Sequence, residues 1–201
     1  MIDDIFNILI SDHLNPYLIN KAGSPPNTTS WITACNIAET AQGNADTAKG
    51  TIVMSLVNIE EDRVYKVNET RFRPASSIGL SLQKPPVYLN LSILFASHFE
   101  NDTLKYQAGL KMLSLVIQFF QHQNVFTPQN SPSLSSVNIE ELIFELRTLS
   151  FQDLNNLWGV LGSRYMPSVL YKVRMLVINE DFSEGAAPVI QHIAINDSVI
   201  Q

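Results

Sequence analysis

The sequence predicts an α+β fold, in which helices pack on a mainly antiparallel sheet. Two observations from the residues predict it. Apolar side chains alternate with period two in residues 87–99, 137–149 and 169–177, as in strands with one face against a core. Segments of helical period stand between and before them, in the order helix, strands, helix, strand, helix, strand. That order lacks the strict strand–helix alternation of a parallel sheet, so antiparallel pairing is expected.

Residues 2–20 place Ile5, Phe6, Leu9, Ile10 and Leu14 near helical spacing, with Asp3 and Asp4 where a helix N-terminus favours negative charge. Pro16 is expected to break or kink the end of that helix. Residues 21–30 are loop by composition, residues 31–39 read as a strand, and residues 40–50 read as the turn-rich connection to the next. Residues 51–59 put Ile52, Met54 and Leu56 on one side of a half-buried strand. A short edge strand is expected at residues 64–67, inside a polar stretch.

Residues 87–99 are the clearest strand, with Val87, Leu89, Leu91, Ile93 and Phe95 on one face. Asp102 or Thr103 then caps a helix running to about Gln121. Its polar stripe is narrow (Gln107, Lys111, Ser114, Gln118, Gln121) and nearly all else is apolar. Such a helix is covered on more than one side, by its sheet and by another helix or a neighbouring subunit. Residues 126–136 read as a proline-bearing loop. Residues 137–149 follow as a strand, with Leu142, Phe144 and Leu146 inward and Glu141, Glu145 and Arg147 outward.

Residues 150–179 specify a helix, its stop and a strand. Ser150 is the expected N-cap, Asp153 its capping-box partner, and Leu149 with Leu154 the hydrophobic staple. Gly159 and Gly162 loosen and end the helix, and Pro167 closes the connection. Val169, Tyr171, Val173, Met175 and Val177 then share one strand face, while Lys172 and Arg174 share the other. Antiparallel pairing with the preceding strand would set Glu141 and Glu145 against Lys172 and Arg174. Residues 180–188 are linker-like. Residues 189–201 alternate loosely and read either as a final strand or as an arm that adds a strand to another subunit.

The 201 residues, 45% hydrophobic, are most simply one domain with a substantial core. A net charge of −6 argues against broad nucleic-acid binding. Residues 1–15 lack the basic start of a signal peptide, so synthesis in the cytoplasm is expected. The single cysteine, Cys35, reads as a small buried side chain in a strand. His13, His98, His122 and His192 show no metal-ligand spacing, and no glycine pattern supports nucleotide binding. Glu60, Glu61 and Asp62 read as a solvated turn after a strand, and Ser163 lacks the pattern of an activated nucleophile. Arg63, Lys66, Arg71 and Arg73 read first as a solvated face, and second as a contact with an acidic partner. No catalytic residue, metal or cofactor is called. A small ligand-binding or enzymatic α+β domain remains the alternative from another class.

The run LNNLWGVLGSRYMPSVLYKVRML, residues 154–176, resembles the cap (tail-terminator) proteins of extracellular contractile injection systems. These are phage-tail-like particles of the antifeeding prophage and Photorhabdus virulence cassette type. NIAE (36–39), VMSLVNIEED (53–62), PPVYLNLSILFASHF (85–99) and VIQFFQHQNVFTP (116–128) carry the likeness in the same order. It covers most of residues 1–180 and is weaker at residues 21–30 and after residue 180. The resemblance implies a phage tail-terminator-like fold and a structural, non-enzymatic cap that assembles as a homohexamer on the last ring of inner tube protein and of sheath protein. A phage tail completion or adaptor protein is the alternative within tail-like machines. It also implies no nucleic-acid partner, no membrane insertion and a place in an assembled particle. Residues 1–180 would form the cap domain and residues 181–201 an extended arm. Expected interface residues are Trp158, Arg164, Tyr165 and Pro167 in the most family-like run, with Val189, Ile193 and Ile195 in the arm.

Overall fold

The computed structural model describes residues 2–25, 29–40, 50–62, 71–74, 80–83, 88–99, 103–177 and 184–187. Helix α1 (Ile2–Ile8) runs through a π-helical stretch, Leu9–Leu14, into α2 (Asn15–Ala22). Pro16 accounts for that interruption. It has no amide to offer the carbonyl four residues back, and the Asn15 N–H reaches five residues back to the Ile10 carbonyl. The helix therefore widens at the proline and continues beyond it.

Strand β1 (Ile32–Ala34) is followed by the single turn α3 (Ile37–Thr40). The strand expected over residues 31–39 is thus cut short. Asn36 turns the chain by accepting the Ala38 N–H, and Ile37 buries itself as the helix begins. Cys35 lies between the two elements and is half-buried, so its placement inside a strand is corrected. Then come β2 (Thr51–Glu61), β3 (Arg71–Pro74), β4 (Leu80–Gln83), β5 (Tyr88–His98), α4 (Thr103–His122) and β6 (Val125–Phe126). A 3₁₀ turn (Pro132–Val137), β7 (Ile139–Arg147), α5 (Phe151–Leu161), β8 (Ser168–Val177) and β9 (Glu184–Ala187) complete the order.

Six strands form one sheet in the order β1-β2-β5-β8-β7-β6, antiparallel throughout except that β1 runs parallel to β2. The α+β expectation with mainly antiparallel pairing holds. Its long antiparallel pairs are β2 with β5 and β7 with β8, and β5 against β8 joins them at the centre. A smaller sheet, β3-β4-β9, stands apart. Because β9 pairs antiparallel with β4, residues 184–187 form a strand and not the expected linker. The edge strand expected at residues 64–67, the Asp102 cap and residues 189–201 lie outside the described residues.

Each large-sheet face carries its own core. On one face, Ile52, Met54, Leu91, Ile93, Phe95, Tyr171, Val173, Met175, Leu142 and Phe144 meet α1, α2 and α4. Period two puts those residues on a common side, as their sequence spacing requires. Phe120 of α4 stacks on Phe144 with centroids 4.5 Å apart and touches Phe95 and Tyr171. Gly109 explains how closely α4 can lie on β5: a Cβ there would come within 2.7 Å of the Phe99 ring. On the opposite face, Val53, Leu94, Ala96 and Leu170 meet Ile37 of α3 and Trp158 of α5. The first five residues of β2 are consequently buried on both sides, where a half-buried strand was expected.

Three further expectations change. Residues 126–136 hold buried Phe126, Ser131 and Leu134, because β6 and the 3₁₀ turn tuck into the first core. Leu146 shares a strand face with Leu142 and Phe144 yet is 55% exposed, since the paired register of β6 reaches only Leu142 and Ile143. Glu60 and Glu61 end strand β2 and do not form a turn.

Candidate interaction surfaces

The segment from Ser150 to β8 is built as its sequence demands. The Ser150 hydroxyl oxygen accepts the Asp153 N–H at 3.1 Å and donates to the Asp153 carboxylate at 2.7 Å. Such a cap contributes about 1 kcal/mol. Leu149 and Leu154 both pack against the second core. The helix stops at Gly162, which takes φ 63°, a left-handed conformation that glycine reaches without strain. The Pro167 carbonyl then accepts the Ser97 N–H at 2.9 Å, which carries the β5–β8 ladder past the end of the strand.

Among the expected interface residues, this frame holds Trp158 in α5 and Arg164, Tyr165 and Pro167 in the connection from α5 to β8, and of the four it brings the rings of Trp158 and Tyr165 together. Trp158 is buried and serves the core. Its ring meets that of Tyr165 edge-on at 5.8 Å, so Tyr165 covers an anchored indole while remaining 63% exposed itself. Arg164 is exposed and Pro167 half-buried. Val189, Ile193 and Ile195 lie outside the described residues.

Sequence reasoning missed the largest exposed apolar side chains beside them. Phe151 is 92% exposed and Val160 88% exposed, both on α5. The core-facing residues of that helix are Leu154, Leu157, Trp158 and Leu161. At 100° per residue, Phe151 and Val160 fall on the two flanks of that stripe. The signal was present: two large apolar residues stood off an otherwise consistent helical face. A second apolar surface runs along the start of α4, where Leu104, Tyr106 and Leu110 are exposed. The far half of α4 is covered as expected, in part by α2, whose Tyr17 ring lies against Phe119 and whose hydroxyl donates to Gln118.

The outward faces of β7 and β8 carry the expected charges in a shifted pairing. Glu145 lies opposite Lys172 in register, but its carboxylate accepts from Arg174, diagonally across the ladder, at 2.5 Å. On the other side of the molecule, the π-helical stretch docks on the 3₁₀ turn. His13 Nε2 lies 2.9 Å from the Ser131 hydroxyl and the Ser133 hydroxyl donates to Asp12. Burial against Phe126 lowers the pKa of His13 below its ordinary 6.5, outweighing the opposite pull of Asp12. Among the described residues no group of His, Cys, Asp and Glu could hold a metal ion, and no helix is long and apolar enough to cross a membrane.

These features describe a protein whose described surface offers apolar contact patches on a rigid double-cored sheet. By sequence, the chain belongs to the Pvc16 N-terminal domain family, whose model matches residues 9–192. No curated protein matches it. Among solved structures it is similar to the sheath/tube terminator, in the extended state, of the PVC extracellular contractile injection system. That likeness has 21% identity and a TM-score of 0.49, over 75% of this chain and 50% of that one. It is also similar to the anti-feeding prophage cap, described as a tube terminating cap, with 18% identity and a TM-score of 0.46, over 72% of this chain and 48% of that one. The chain thus spans about half the length of either structure.

Proposed function

We propose that this chain is a structural cap that ends the inner tube and the sheath of a phage-tail-like contractile particle. Six copies form a ring seated on the last tube ring and against the last sheath ring. The cap works through shape: it presents a surface complementary to a growing end and hides the edge that would accept another subunit. It performs no bond chemistry and binds no nucleic acid, and its place is in the assembled particle.

The observation that carries this reading is the set of exposed apolar side chains Phe151, Val160 and Tyr165. Val160 and Tyr165 lie within the run of sequence most like the cap proteins, and Phe151 stands three residues before it. Apolar side chains of that size, held outward on a capped helix over a packed core, are what a subunit contact needs. Trp158 supports the contact from beneath, and Arg164 with Pro167 shapes its border. Beyond β9, the end of the arm (residues 188–201) adds a strand to a neighbouring subunit through Val189, Ile193 and Ile195. Membership of the Pvc16 N-terminal domain family supports the same reading.

Tube assembly in its presence tests the proposal. Inner tube protein polymerised with the chain is expected to give tubes of arrested length that carry it at one end, seen by negative-stain microscopy. Tubes that grow to the same length with and without it, and never bear it, would contradict a capping role.

A further inference from the structure

Two exposed apolar surfaces lie on opposite faces of the large sheet. One is the outward side of α5, which packs on the face holding Val53, Leu94 and Leu170. Phe151 and Val160 stand on its flanks. Between them, at 100° per residue, that side presents only Gln152, Asn155, Asn156 and Gly159, all exposed and uncharged. Large apolar side chains around a charge-poor centre have the composition of an interface, not of a solvated helix. The other surface is the first half of α4, which packs on the face holding Phe95 and Tyr171 through Phe120. There Leu104 is 75% exposed, and Tyr106 and Leu110 are exposed beside it. The two surfaces differ in charge. The charged residue of α5 is Asp153, whereas α4 carries Lys105 and Lys111 and no acid.

We propose that the α5 surface of one copy docks on the first half of α4 of the next copy. A two-fold contact of α5 with α5 would cover one surface, bring like charges into it and leave Leu104 and Tyr106 in water. A head-to-tail contact covers both surfaces and sets the acid of α5 against the lysines of α4. Because its two halves lie on opposite faces of the sheet, each copy can hold a neighbour on either side. A repeated contact of that kind closes into a ring when its rotation allows. The pairing rests on the reading of α5 as a subunit contact, and it names the surface that receives α5.

Cysteine trapping tests the pairing in the intact chain, with Cys35→Ser as background so that only introduced thiols react. Val160→Cys marks the α5 surface and Leu104→Cys the α4 surface; both side chains are exposed, so the fold should tolerate either change. A short bismaleimide is added to each single variant and to the chain with both cysteines, alone and with inner tube and sheath proteins. The double variant is expected to give a ladder of covalent species running past the dimer, while each single variant stays a monomer. A dimer from either single variant would reveal a two-fold contact and overturn the proposal. A double variant that stays monomeric in every mixture, or links only to tube or sheath protein, would overturn it too. Its failure is distinct from that of the cap: monomers beside tubes of arrested length would remove the pairing alone, and a ladder beside tubes of unaltered length would remove the cap alone.

Discussion

His13 shows how a single residue reports its surroundings. Its ring stands edge-on to Phe126 at 4.9 Å and meets the Ser131 hydroxyl, while Asp12 is the charged neighbour on its own helix. Desolvation disfavours the charged ring, so the folded pKa lies below the unfolded value. The unfolded chain then binds the proton first as pH falls. The His13 contribution is whole above about pH 6.5, is lost as pH drops toward the folded pKa, and levels off below it. Urea denaturation from pH 7.5 to 4.5 should show this loss, and His13→Gln should remove the part that His13 carries. Parallel profiles for the two proteins would contradict it. From sequence His13 was only a histidine without ligand spacing, because Ser131 and Phe126 lie more than a hundred positions away.

At the scale of elements, α5 and β8 were legible almost to the residue, since everything that defines them is local. A side-chain cap at Ser150, a left-handed glycine at Gly162 and period-two alternation after it leave few alternatives. The strand expected over residues 31–39 failed for the complementary reason. Its length was decided by β2, which offers β1 only Ile52, Val53 and Met54 as partners. The small elements of residues 125–137 were missed because β6 exists only through pairing with β7. Leu146 shows the limit of periodicity: it has the parity of a core residue but lies past the reach of β6. The exposed residues of α5 give the prediction proper to this scale. Phe151→Asp and Val160→Asp should leave the thermal midpoint nearly unchanged, because neither side chain is buried. They should strongly reduce self-association in sedimentation velocity. A large fall in midpoint, or wild-type association in both variants, would show that these side chains are not contact residues.

At the scale of the molecule, one sheet between two cores makes a stiff body, and stiffness suits the proposed role of matching a surface. The fold class followed from the order of periodic segments. The strand order did not, because a parallel edge strand and a separate small sheet depend on long-range pairing that no local pattern encodes. The proposed arm belongs to this scale too. Removing residues 188–201 leaves β9 and its pairing with β4 in place. The shortened chain should fold with an unchanged circular dichroism spectrum and bind assembled tubes more weakly in co-sedimentation. Equal binding would remove the arm from the account.

Ring formation is the claim on which the rest stands, and mass measures it most directly. Light scattering of the purified chain, alone and with its tube and sheath proteins, should give a particle of six 22.5 kDa copies, about 135 kDa, in at least one of those conditions. A monomer that persists in every condition and never joins an assembled tail would contradict it.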